Sequence, residues 1–392
     1  MRPLGHWPLH LAPIDGEALS SWLRRLAASY QMSVAELIEH GLGQDQMAVR
    51  ALDIDPSAAL LDVLAERTGI DPARLRQMSL AGWTPGLLDS LEAHAGSFDT
   101  YVRCFSVLLP LRRRSKRSVG PWAAWIPGDR VQRACPLCVD DPARQGLLLM
   151  WQLPLSLSCP DHDCMLKPCI GSPGDYLTWI GAKTPPQTAS AAVLAMDRRT
   201  QKALTSGQVD LPGGSVPAGE WFRILRALLD EVSTPLTYWG ARGTDLRLVW
   251  TTCGHPIRAG QATWRSFEVY PWPVQAQLLE AAAQAIRLVE DGTVVGRGNH
   301  AELFTPAPPV PVDSCRPPPP KEEPSRWVSL WAALEDAVEA ARNDPVQAQG
   351  LYNLAVLGCR TPESEERLRA NLTELGIPTV HLSRNHSFAP SA

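Results

Sequence analysis

The sequence has little that would place it in a membrane or among the common enzymes. It contains no run of about 18 apolar residues, the length a membrane span requires. Its first residues, Met1-Arg2-Pro3-Leu4-Gly5-His6-Trp7-Pro8, form no apolar stretch and no small-residue cleavage site, so no secretory leader is expected. A G-x-x-x-x-G-K-[ST] phosphate loop and an H-E-x-x-H helix are both missing. Gly296-Arg297-Gly298 lacks the third glycine of a dinucleotide fingerprint. His300-Ala301-Glu302 matches the first half of a zinc-deaminase signature, but no P-C-x-x-C follows it. No internal repeat is present. These absences point to a cytoplasmic protein that is not an enzyme.

What is present fits a globular chain of two or three domains. The 392 residues are 45% hydrophobic and include 14 Trp, enough for a sizeable core. Nine cysteines, an odd number, fit reduced thiols and metal ligands better than a disulfide framework. The net charge of −4 hides an asymmetry. Residues 1–100 carry 7 Lys and Arg against 13 Asp and Glu, whereas residues 101–170 carry 10 against 5. Positive potential is thus concentrated in one segment, where it can steer a polyanion whatever the whole-chain charge.

The first hundred residues read as short helices. Asp15 is placed to cap a helix with Leu19, Trp22, Leu23 and Leu26 on one face. Ser33 and Glu36 form a capping-box pattern. A helix from Ser57 ends at Thr68-Gly69, and Asp71-Pro72 restarts the next. Helix, glycine turn, helix is the outline of a helix-turn-helix, although most such pairs are merely packed hairpins. Residues 173–215 are rich in Thr, Gly, Pro and Ser and read as loop. Helices are expected at about 220–231 and 273–290, and residues 246–250 fit strand or helix. Nine prolines in residues 306–324 mark an extended linker. Amphipathic helices are expected at 326–341 and 363–375.

The cysteine cluster carries the sharpest chemistry. Cys135-Pro-Leu-Cys138 is followed after 20 residues by Cys159-Pro-Asp-His162. Two such knuckles let four side chains converge on one ion, three sulfurs and one imidazole in a tetrahedron. Four protein donors leave no open position, so Cys135, Cys138, Cys159 and His162 are expected to hold one structural Zn2+. Cys164 and Cys169 lie close by at irregular spacing. They could extend the cluster, or form half of a second site with Cys253 and His255, but the spacing gives that no support and they are read as packing thiols. Just upstream, Arg112, Arg113, Arg114, Lys116 and Arg117 place five cations in six residues, which suits phosphate contact as well as a solvated loop.

At this point the sequence resembles a known family. The opener Pro13-Ile14-Asp15-Gly16-Glu17 through Leu19, Trp22, Leu23, Arg25 and Ala27 is similar to that of TniQ/TnsD transposon targeting proteins. So are the two knuckles with Trp151-Gln152-Leu153 between them and Leu166 and Cys169 after. The similarity covers roughly residues 8–170. It departs at Asp163, where the family often has glycine, and nothing beyond residue 175 aligns. The resemblance implies a subunit that selects a DNA insertion site, directly or on an RNA-guided CRISPR effector complex, and recruits an AAA+ ATPase that engages the transposase. Arg24 and Arg25 are candidates for facing DNA or a partner. The competing readings are a zinc-containing DNA-binding transcription regulator unrelated to transposition, and a zinc enzyme with an open coordination position.

The expected fold is mainly α with a small zinc-finger module. Residues 1–105 form a helical N-terminal region with helix-turn-helix character, 106–172 the basic zinc-finger module and 173–305 a mostly helical region. Residues 306–324 form the linker and 325–392 a C-terminal helical segment.

Overall fold

The structure is a computed structural model that describes residues 5–9, 11–43, 52–113, 119–128, 131–141, 144–171, 176–181, 185–257, 265–305, 337–356, 361–378 and 382. The chain forms two compact units, Met1–Pro309 and Val310–Ala392.

The first unit opens with α1 (Leu19–Ser29), whose Leu19, Trp22, Leu23 and Leu26 are fully buried. Asp15 does not cap it. The capping position is Ala18, and Asp15 instead pairs with Arg74 at 3.2 Å. The first turn is closed from elsewhere in the chain: the Asp53 carboxylate accepts both the backbone N–H and the hydroxyl of Ser20, at 2.8 and 2.6 Å. Met78 O accepts the Leu19 N–H and Leu147 O the Ala18 N–H, each at 2.9 Å. Arg25, part-buried, has an acidic partner within the chain. It is tied to the buried Glu17 at 2.6 Å.

Local signals shape the next three helices. In α2 (Val34–Glu36) the Ser33 hydroxyl accepts the Glu36 N–H and the Glu36 carboxylate accepts the Ser33 N–H, completing the capping box. Ser57 caps α3 (Ala58–Thr68), which stops at Gly69 with a left-handed φ of 71°. Asp71 accepts the Ala73 N–H and Pro72 opens α4 (Pro72–Gln77). The helix, glycine turn, helix outline is present, with only Leu75 of the short α4 buried.

A loop-rich segment follows. It contains β1 (Arg133–Ala134), α5 (Pro136–Asp140), α6 (Leu149–Gln152), β2 (Ser158–Cys159), β3 (Cys164–Met165), β4 (Lys167–Gly171) and β5 (Leu177–Trp179). β4 lies between β1 and β5, and β2 pairs with β3 as a separate hairpin, all antiparallel.

The expectation of loop over residues 173–215 is corrected by α7 (Ala191–Ser206), a 16-residue helix capped by Ser190 and closed by Gly207 at φ 73°. The polar residues on either side had masked an Ala-, Leu- and Met-containing run with its own start and stop signals. A hairpin, β6 (Gln208–Leu211) and β7 (Gly214–Pro217), leads into α8 (Ala218–Val232). The unit continues with α9 (Leu236–Trp239), α10 (Gly243–Thr252) and α11 (Trp272–Glu290). Residues 246–250 are therefore helical.

Helices α7, α8 and α11 build the main core, with Trp125, Trp221, Trp239 and Trp250 fully buried among them. Two buried carboxylates organise it. Glu231 accepts the N–H groups of Val107, Leu108 and Leu109 at 3.0–3.1 Å. Glu268 accepts from Trp122 Nε1 at 2.7 Å and from Arg226 Nε and Nη2 at 2.8 and 3.0 Å. Both ends of the stretch that carries the basic run are thereby pinned.

The second unit contains α12 (Pro345–Val356) and α13 (Pro362–Glu374), packed through Ala348, Tyr352, Val356 and Leu372. Residues 337–343 are helical, and the rest of the helix expected at 326–341 lies outside the described residues, as does the proline-rich stretch. Among the described residues, no helix is long and apolar enough to cross a membrane.

Candidate metal centre

The first knuckle is a helix start. Strand β1 leads directly to Cys135, the capping residue of α5, with Pro136 at the first helical position. Proline presets φ there and needs no donor of its own. The Cys135 sulfur accepts the Cys138 N–H at 3.4 Å, so both thiols lie against one helical turn.

The second knuckle is a hairpin turn. β2 ends at Cys159, β3 begins at Cys164, and these two residues lie opposite one another. His162 sits in the connecting turn, its N–H donated to Cys159 O at 3.3 Å. The turn requires a left-handed residue, and Asp163 supplies it with φ 51°. Aspartate tolerates that region better than most residues with a Cβ, and glycine tolerates it freely. The departure at Asp163 thus has a conformational reason.

These two devices bring the four expected side chains together. Their donor atoms all lie within 4.8 Å of one another. Cys138 Sγ is 3.7 Å from Cys159 Sγ, and His162 Nδ1 is 3.5, 3.2 and 3.6 Å from the sulfurs of Cys135, Cys138 and Cys159. A tetrahedral ion with sulfur at ~2.3 Å and nitrogen at ~2.1 Å sets sulfurs ~3.8 Å apart and sulfur ~3.6 Å from nitrogen. The Cys138–Cys159 edge and the His162 edges to Cys135 and Cys159 match within about 0.1 Å, and the His162–Cys138 edge is about 0.4 Å shorter. The three cysteines are buried and the histidine half-buried.

Charge makes the same point. The hydrogen bond between Cys135 and Cys138 holds the Cys135 thiol far below its ordinary range and pushes that of Cys138 far above it. Without a cation, the thiols cannot all ionise side by side. A divalent ion removes the conflict by favouring every thiolate at once. The residues therefore fit a metal ion, and this buried Cys3His cluster could hold one.

Of the remaining cysteines, Cys164 touches the edge of the cluster: its sulfur lies 3.5 Å from that of Cys135, outside the group of four whose donors all lie within 4.8 Å of one another. Cys169 does not join it, and burial pushes its thiol up to about 11. The pairing of Cys253 with His255 is not formed. Cys253 donates to Val249 O at 3.1 Å, while His255 bonds to Glu280. Among the described residues no second metal-ligating group closes up.

Sequence reasoning missed the residues that support this unit. Arg144 pairs with Asp161 at 2.8 Å and Arg198 with Asp163 at 2.7 Å, so each aspartate flanking His162 is held by an arginine from another element. Asp197 of α7 accepts the N–H groups of Leu157 and Ser158, at 3.0 and 2.7 Å, tying β2 to the helical core. The buried Arg133 donates to Ser156 O and Leu153 O, each at 2.6 Å, and lies 3.8 Å over the Trp272 ring. None of these partners is near in sequence, so no local pattern could have revealed them.

The basic run is only partly visible. Arg112 is exposed, and the backbone of Arg113 closes the short turn Leu111–Arg113. Arg114, Lys116 and Arg117 lie outside the described residues.

The sequence model of the TniQ family matches residues 8–166, from just before α1 to just past the second knuckle. No curated protein and no solved structure matches the chain.

Proposed function

We propose, from the match of residues 8–166 to the TniQ-family model, that the chain is a targeting adaptor in DNA transposition. It engages an insertion site, directly or through a DNA-bound complex such as a CRISPR effector, and recruits an AAA+ ATPase that engages the transposase. The observation that carries this reading is the coincidence of the family match with the closed Cys3His cluster. The ion we assign is Zn2+, because three thiolates and one imidazole in a tetrahedron suit it best among common cellular metals. In this reading protein donors fill all four positions, so the ion holds shape and the chain acts as a non-enzymatic adaptor.

DNA contact is assigned to Arg112, Arg113, Arg114, Lys116 and Arg117. Each phosphate neutralised releases counterions and steepens the salt dependence of binding. The helix, glycine turn, helix of α3 and α4 is the candidate for reading the duplex.

Two measurements test the proposal. The purified chain should bind duplex DNA at low salt and pull down the AAA+ ATPase encoded beside it. Replacing Arg112, Arg113 and Arg114 together with Ala should reduce the slope of log K against log salt by ~3. An unchanged slope removes the basic run from the interface, and failure of both binding assays rejects the adaptor reading.

A further inference from the structure

A fifth possible donor, the Cys164 sulfur, lies against the edge of the metal cluster. We infer that Cys164 is a reserve donor, able to take the coordination position of His162. This rests on the metal reading proposed above.

Cys164 Sγ lies 3.5 Å from Cys135 Sγ, closer than the 3.7 Å between Cys138 and Cys159. The placement comes from the backbone. Cys164 stands directly opposite Cys159 in the β2–β3 hairpin. Opposite residues of an antiparallel pair project from the same face with Cβ atoms ~4.5–5.5 Å apart. The hairpin therefore aims both sulfurs toward one place, and Cys164 is as buried as Cys159.

His162 is the donor most easily spared. It sits in the turn, half-exposed, and reaches the cluster through Nδ1. Ligating histidines usually donate their other ring N–H to a carboxylate or carbonyl, which fixes the ring. No such acceptor for Nε2 exists among the described residues. When the imidazole leaves, Cys164 gives its proton to water and its sulfur takes the vacated position. Four donors remain, and no oxidant or reductant is required.

The test uses the full-length chain. Wild type, Cys164→Ser, His162→Ala and the double variant are purified without chelator, and their zinc is counted. Cobalt substitution then reports the number of sulfur donors through the thiolate charge-transfer band. Wild type and each single variant should retain one zinc per chain, and the double variant should lose it. The charge-transfer band of His162→Ala should rise by about a third, as three cobalt–sulfur bonds become four. If His162→Ala loses zinc as completely as the double variant, Cys164 is a bystander. Wild type purifying without any zinc overturns the underlying metal reading instead. Because His162→Ala could misfold, a second readout uses Cys164→Ser alone, which keeps the primary donors. It should pass zinc to a competing chelator several-fold faster than wild type, and an equal rate overturns the proposal.

Discussion

Segment 131–171 and the helical body after it both bury charge, but they have different means of satisfying it. In the metal unit β1, β2 and β3 are two residues long, and sulfur atoms fill the centre. In the body, α7, α8 and α11 run 16, 15 and 19 residues around fully buried tryptophans. Glu231 and Glu268 are satisfied within the protein, the first by three backbone N–H groups among its partners, the second by an arginine, an indole and the Trp125 N–H. The thiols of the metal unit face chiefly one another and the His162 ring. A region with enough regular structure can neutralise its own interior, while one with too little can do so by taking up a cation.

The comparison breaks or sharpens under three substitutions. The largest effect is expected for Cys138→Ser. It should forfeit on the order of 10 kcal/mol of apparent zinc binding and open segment 131–171. Emission from the buried Trp151 should shift to the red, while the far-ultraviolet helical signal persists. Collapse of that helical signal in parallel would mean the two regions form one cooperative unit.

A smaller loss is expected inside the body. Glu268→Ala leaves Arg226 buried without its carboxylate, which should cost about 3–5 kcal/mol in urea unfolding. Zinc content should stay unchanged, since that carboxylate belongs to the self-satisfied region.

The mildest change is at Asp163. Asp163→Ala should weaken zinc retention by about 1 kcal/mol, because alanine fits the left-handed turn poorly. Asp163→Gly should recover most of that loss despite giving up the exposed pair with Arg198, a contact worth little in solvent. Chelator titration of the two variants gives the difference directly.

The grouping of Cys135, Cys138, Cys159 and His162 was legible in the sequence because a knuckle is written locally, two side chains per turn. The capping box at Ser33 and Glu36 and the stop at Gly69 were legible for the same reason. Asp15 misled because it has the right chemistry just ahead of an apolar stripe, while the carboxylate that closes α1 arrives from Asp53. Helix α7 was hidden when its composition was averaged with its flanks. Arg133, Asp197, Glu231 and Glu268 carried no signal at all, since each works with residues 20 to 146 positions away. Local grammar reveals elements and knuckles, but the buried polar groups that join them appear only in three dimensions.

The opening of α1 shows where this leads during synthesis. It precedes all three of its partners in chain order: its initial turn waits for Asp53, then Met78, then Leu147. A nascent chain or fragment stopping near residue 105 would present Ala18 and Ser21 without the Leu147 groups they bond to. Helix α1 is thus completed only once Leu147 is in place, and truncation upstream of the knuckles should yield a frayed product instead of an autonomous domain.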